Sequence, residues 1–137
     1  MIENFGNTFY LILFLVNLLG LFYYGYLCIL SPHTLITKYN LGERARFPIR
    51  LLGTFILPII IIGIWILFRE NGPEGCWIYF VFGVLVSIFQ VLLDWGQRFK
   101  IIDSDLESFN DTADSIIGIV FVVIGIVLIN GLADKIY

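Results

Sequence analysis

The chain has 137 residues, of which 59% are hydrophobic and only 14% charged, against about 25% charged in an ordinary soluble domain. Its mean hydropathy is +0.93 and its formal net charge is −3, from 8 Lys+Arg and 11 Asp+Glu. These values exclude a disordered chain, a soluble globular domain and a nucleic-acid-binding module, which needs a basic footprint, and they fit an integral membrane protein.

Crossing a hydrocarbon core about 30 Å thick takes about 20 apolar residues in a helix. Four runs meet or approach that length, at about 9–30, 48–68, 76–93 and 113–132. Each is expected to be helical, because an open strand leaves its backbone polar groups unpaired in lipid. The first run is too long for the apolar part of a cleavable signal peptide and lacks a basic segment before it. Met1-Ile2 and Tyr137 do not fit the myristoylation and prenylation patterns. The expected fold is therefore an all-α integral membrane protein, a single domain over 1–137 with four transmembrane helices in an antiparallel bundle. Short interfacial helices are expected in the two loops that follow the first and third runs.

The first of these loops holds Ser31-Pro32, an N-cap residue followed by the residue favoured at the first helical position. Leu35, Ile36 and Tyr39 then recur at helical spacing and Gly42 is a natural stop, so 32–41 reads as a short helix. Arg44, Arg46 and Arg50 come next, suited to contact with anionic lipid headgroups. In the second run, Pro58 removes one helical hydrogen bond, and Thr54 stands where its hydroxyl can serve the freed carbonyl. The segment 69–75, Arg-Glu-Asn-Gly-Pro-Glu-Gly, is a tight turn.

The third run carries Gly83, Ser87, Gln90 and Asp94 along one helical face. Asp94 is the ionisable residue nearest to a membrane interior, one turn from Arg98. In the first run Asn17 and Tyr24 lie at heptad spacing with Gly20 beside them. In the fourth, Ser115, Gly118 and Gly125 share one side. Small residues and polar groups of this kind are what hold helices together in lipid. Tyr24 and Gln90 lie at similar depth, each roughly 21–22 Å from the outer end of its run at 1.5 Å per residue, and are expected to meet across the bundle. Together Asn17, Gly20, Tyr24, Pro58, Gly83, Ser87, Gln90, Gly118 and Gly125 are the candidate packing or pore-lining residues.

The second loop places Asp103, Asp105, Glu107, Asp111 and Asp114 at spacings 1, 3, 5, 9 and 12 of a calcium loop. Ser108 stands where that loop needs glycine, and Asp114 where it needs glutamate. The simpler reading is a capping box at Ser104–Glu107 and an amphipathic stripe of Ile102, Leu106 and Phe109, giving a short helix over 104–110. No metal site is expected. The single histidine, His33, supplies at most one axial ligand. No cofactor is predicted, although a pigment, haem or quinone held between helices needs apolar shape more than a motif. Neither a nucleophile–base pair nor a phosphate loop is present, and no catalytic residue is assigned.

Counting cations outside the runs gives the orientation. Lys38, Arg44, Arg46, Arg50, Arg98 and Lys100 follow the first and third runs, and Arg69 and Lys135 lie opposite. Six against two places loops 31–47 and 94–112 in the cytoplasm and both termini on the outer, periplasmic or lumenal side. Cys28 and Cys76 then lie near opposite membrane faces, too far apart to pair.

In outline the plan resembles that of small four-helix bacterial membrane proteins such as the DoxX-like group. The resemblance rests on the Ser31-Pro32 loop and on Arg50-Leu51-Leu52-Gly53 opening the second run. It implies a four-helix membrane fold and assigns no residue a role. The function expected from the residues is a non-catalytic accessory or structural subunit of a larger membrane protein complex, with lipids and other membrane subunits as partners and no nucleic acid. A small homo-oligomeric transporter or pore for an uncharged or lipid-like solute is the second reading. A lipid-acting membrane enzyme using His33, Asp94 or the arginines is the third.

Overall fold

The structure, a computed structural model, describes residues 2–103 and 112–137, and every regular element among them is helical. The elements are α1 (Thr8–Ile29), α2 (Pro32–Lys38), α3 (Arg46–Phe68), α4 (Trp77–Arg98), α5 (Thr112–Gly131) and α6 (Ala133–Ile136), with 3-10 turns at Glu3–Phe5 and Glu43–Ala45. Helices α1, α3, α4 and α5 are each long and apolar enough to cross a membrane, which is compatible with a multi-pass membrane protein. By backbone contact the chain divides into two compact units, Met1–Glu74 and Gly75–Tyr137.

In the first unit α1 packs on α3. Leu11, Phe14, Leu18, Gly25 and Cys28 are the buried residues of α1, and Gly53, Ile56, Ile60, Gly63 and Ile66 those of α3. Both sets recur at three- and four-residue steps, the seam that a helix presents to one neighbour. Glycines let the backbones approach. A methyl group on Gly53 would lie 2.5 Å from Ile29 Cδ1, and one on Gly25 would lie 2.9 Å from Ile60 Cδ1. Residue numbers rise on one helix as they fall on the other, so α1 and α3 run in opposite directions. The ends far from α2 are closed by the first residues of the chain. Phe5 is fully buried with its ring centroid 5.0 Å from that of Phe14, and Asn4 Nδ2 donates to the Glu70 carbonyl at 2.6 Å.

Helix α2 is shorter than the 32–41 expected. Pro32 opens it, and Ser31 is its N-cap by position, but the Ser31 hydroxyl lies 2.9 Å from Thr34 Oγ1 instead of capping a backbone N–H. The stop is Asn40, not Gly42. Asn40 adopts a left-handed φ of 51°, Leu41 N–H donates to the Ile36 carbonyl at 2.9 Å, and Asn40 N–H to that of Thr37 at 3.3 Å. This is the Schellman arrangement, and asparagine tolerates its left-handed position better than most residues.

Helix α3 begins at Arg46, two residues before the expected start. Pro48 still falls in the first turn, where a missing N–H costs no hydrogen bond. The helix continues through Pro58. The Thr54 hydroxyl donates to the Leu51 carbonyl at 2.7 Å, so it does not serve the carbonyl freed by Pro58.

In the second unit α4 packs on α5, again in opposite directions. A methyl group on Gly125 would lie 2.5 Å from Val84 Cγ2, and one on Gly118 would lie 2.9 Å from Val91 Cγ2. The polypeptide beyond α5 folds back: Leu132 and Ile136 are buried, Gly75 N–H donates to the Lys135 carbonyl at 3.3 Å, and Trp77 stacks on Tyr137. Helix α4 runs to Arg98, past the 76–93 expected from hydropathy, because its last turns are polar yet paired. It ends in a second Schellman arrangement with Lys100 at φ 55° and Ile101 N–H bonded to the Gly96 carbonyl at 2.9 Å. The short helix expected over 104–110, and most of the acidic calcium-like pattern, lie outside the described residues. Neither Cys28 nor Cys76 forms a disulfide.

The seams predict a contrast between glycines. Gly125→Leu and Gly53→Leu should each destabilise the detergent-solubilised protein by about 1–3 kcal/mol, the usual cost of overpacking. Gly83→Leu, where a methyl meets no atom within 4 Å, should leave the isolated protein near wild type. Thermal unfolding followed by circular dichroism compares the three.

Candidate functional site

A carboxylate loses its hydration inside lipid and must find partners in the protein. Asp94, in the penultimate turn of α4, is 4% exposed. Its Oδ2 accepts from the Ser115 hydroxyl on the first turn of α5 and from Arg98 Nε at 3.3 Å. Its Oδ1 is buried and has no hydrogen-bond partner among the described residues. Arg98 lies one turn along the same helix, with 26% of its side chain exposed. The pair thus reaches from the α4–α5 seam toward the helix end.

The sequence puts Asp94 at the edge of the third run, one turn from Arg98, and the structure brings these two together. It adds Ser115, which the sequence groups with Gly118 and Gly125 but gives no partner. A signal is present. Asp94–Ser115, Val91–Gly118 and Val84–Gly125 have one common antiparallel register, so sliding the two stripes past each other finds the contact. The arrangement has a clear chemical capacity: two donors converge on one carboxylate oxygen while the other retains room for one more donor. Among the described residues no three of His, Cys, Asp and Glu are grouped to hold a metal ion.

The remaining candidates divide by position. Gly118 and Gly125 lie in the α4–α5 seam. Gly83 and Gln90 lie on its flank, and Ser87 is half-buried between them. The Ser87 hydroxyl is turned back onto the Gly83 carbonyl of its own helix at 3.0 Å. Gly83 has no atom near the position of a side chain. Gln90 is exposed and makes no hydrogen bond to a described residue. In the first unit Asn17, Gly20 and Tyr24 are half-buried beside the α1 seam, and Pro58 is exposed on α3.

The basic residues gather at the α2 end of the first unit. Arg46 and Arg50 belong to the first two turns of α3 instead of a loop. Glu43 receives Arg46 Nη2 at 2.6 Å, and His33 Nδ1 approaches it at 3.8 Å. Arg44 and Arg50 are exposed and form no ion pair or hydrogen bond with a described residue. His33 is also exposed, with Nε2 3.5 Å from Thr37 Oγ1.

Neither a family model, nor a curated protein, nor a solved structure matches this chain. The outline resemblance to the DoxX-like group therefore has no family match behind it.

The Asp94–Ser115 contact should behave as a coupled pair. Ser115→Ala alone removes a donor from a buried carboxylate and should cost about 1–3 kcal/mol. In an Asp94→Leu background the same change should cost clearly less, because the buried carboxylate that Ser115 serves is gone. A double-mutant cycle on thermal or chemical unfolding measures the difference.

Proposed function

We propose that the protein is a non-catalytic accessory or structural subunit of a larger membrane protein complex. The observation that supports this reading best is the flank of α4. Gln90 sits in the spanning stretch of α4, outside the α4–α5 seam, with no partner among the described residues. An amide facing hydrocarbon is costly until it bonds to something. Gly83, two turns earlier on the same flank, leaves a notch into which another helix backbone fits. Neither residue is used by the second unit, and together they suit a helix supplied by another subunit.

The proposed orientation places both termini on the outer, periplasmic or lumenal side and loops 31–47 and 94–112 in the cytoplasm. The excess of Lys and Arg following the first and third spans supports it. Helix α2, with Leu35 and Ile36 buried and Lys38 in its last turn, then lies in the cytoplasmic interface. Membrane lipids and neighbouring subunits are the proposed partners, and no cofactor is assigned.

Gentle native purification through a C-terminal tag, followed by mass analysis, tests the role. The expected result is one heavy complex with other subunits at fixed ratio, from which Gln90→Leu and Gly83→Leu dissociate. A homo-oligomer free of foreign subunits would contradict the role and favour the pore reading.

A further inference from the structure

We infer that the outward face of α3 is a binding site for an anionic phospholipid, whose phosphate is held by Arg46 and Arg50. The two arginines stand four residues apart, on successive turns of one helix face. Both are exposed, and Arg50 has no partner among the described residues. Arg46 gives one nitrogen to Glu43, and a guanidinium carries five N–H donors, so most of its capacity remains. Paired guanidinium groups match the geometry of a phosphate.

Farther along the same face, the surface selects a lipid over a soluble anion. Leu57 and Ile61 lie seven and eleven residues beyond Arg50, on its side of the helix, and both are exposed, at 40% and 64%. From Arg50 to Ile61 is roughly 16 Å at 1.5 Å per residue, about half of a hydrocarbon core. Thr54, on the same face, turns its hydroxyl onto the Leu51 carbonyl, so a headgroup at the arginines leaves its acyl chain along an open, largely apolar strip of matching length. Charge at one end and largely aliphatic surface beyond it match the two halves of a phospholipid. The site lies wholly within the first unit and does not depend on the proposed role as a subunit.

The test uses the full-length protein in detergent micelles, with retained lipid read by native mass spectrometry. Phosphatidylglycerol should be retained in preference to phosphatidylcholine. Arg46→Gln/Arg50→Gln should lower phosphatidylglycerol retention about tenfold, since each surface arginine adds a substantial share of the attraction to an anionic headgroup. Arg69→Gln, at the other end of α3, should leave it unchanged. If the double variant does not fold, Arg50→Gln alone, at an unpaired exposed position, should still show a clear loss. Equal retention of the two lipids, or undiminished retention in the arginine variants, would overturn the site. Displacement of phosphatidylglycerol by millimolar inorganic phosphate would also overturn it, as the mark of a soluble-anion site.

Discussion

Two helices remain paired in lipid only if their surfaces come close, because surrounding acyl chains are as apolar as leucine and no hydrophobic drive distinguishes protein from solvent. Each unit of this chain depends on that closeness. In one unit Gly25 and Gly53 bring α1 against α3, and in the other Gly118 and Gly125 bring α4 against α5. The pairs are narrow. Each long helix buries only the stripe of residues that meets its neighbour. The rest of the structure supports these two seams: the opening turn with buried Phe5 closes one, and the returning α6 closes the other.

A seam of glycines and valines has little directional preference, since one packed register of small residues resembles the next. The Asp94–Ser115 bond supplies what packing lacks. It fixes a single position of α5 along α4, because sliding by one turn would strand a carboxylate in an apolar interface. Arg98 balances the charge at the helix end, where its guanidinium is partly exposed. In the first unit the corresponding ties lie at the ends, in the Asn4–Glu70 bond and the Asn40 stop of α2.

Most of the architecture is legible in the sequence because a spanning helix announces itself by length and apolarity alone. The four runs reappear as α1, α3, α4 and α5, with ends shifted by a few residues where polar chemistry, not hydropathy, decides. Arg98 carries α4 onward by pairing with Asp94, and Asn40 halts α2 before Gly42 can. The site is less legible. Gly83, Ser87, Gln90 and Asp94 share a helical period, yet Asp94 is buried against α5 while Gly83 has no neighbour at the position of a side chain and Gln90 is exposed, because the face that meets α5 is rotated toward Val84 and Val91. Periodicity defines a face but not which neighbour it meets, and in a helix apolar on all sides nothing else in the sequence separates the two.

The register of the α4–α5 seam is the constraint on which the second unit most depends, and cysteine pairing reads it directly. In a protein with Cys28→Ser and Cys76→Ser, the changes Asp94→Cys and Ser115→Cys put two thiols where the carboxylate and hydroxyl now touch. Mild oxidation in native membranes should join them, seen by mass as the loss of two alkylatable thiols, while Leu93→Cys with Ser115→Cys should remain reduced. Failure of the first pair to join, or equal joining by the second, would contradict the seam.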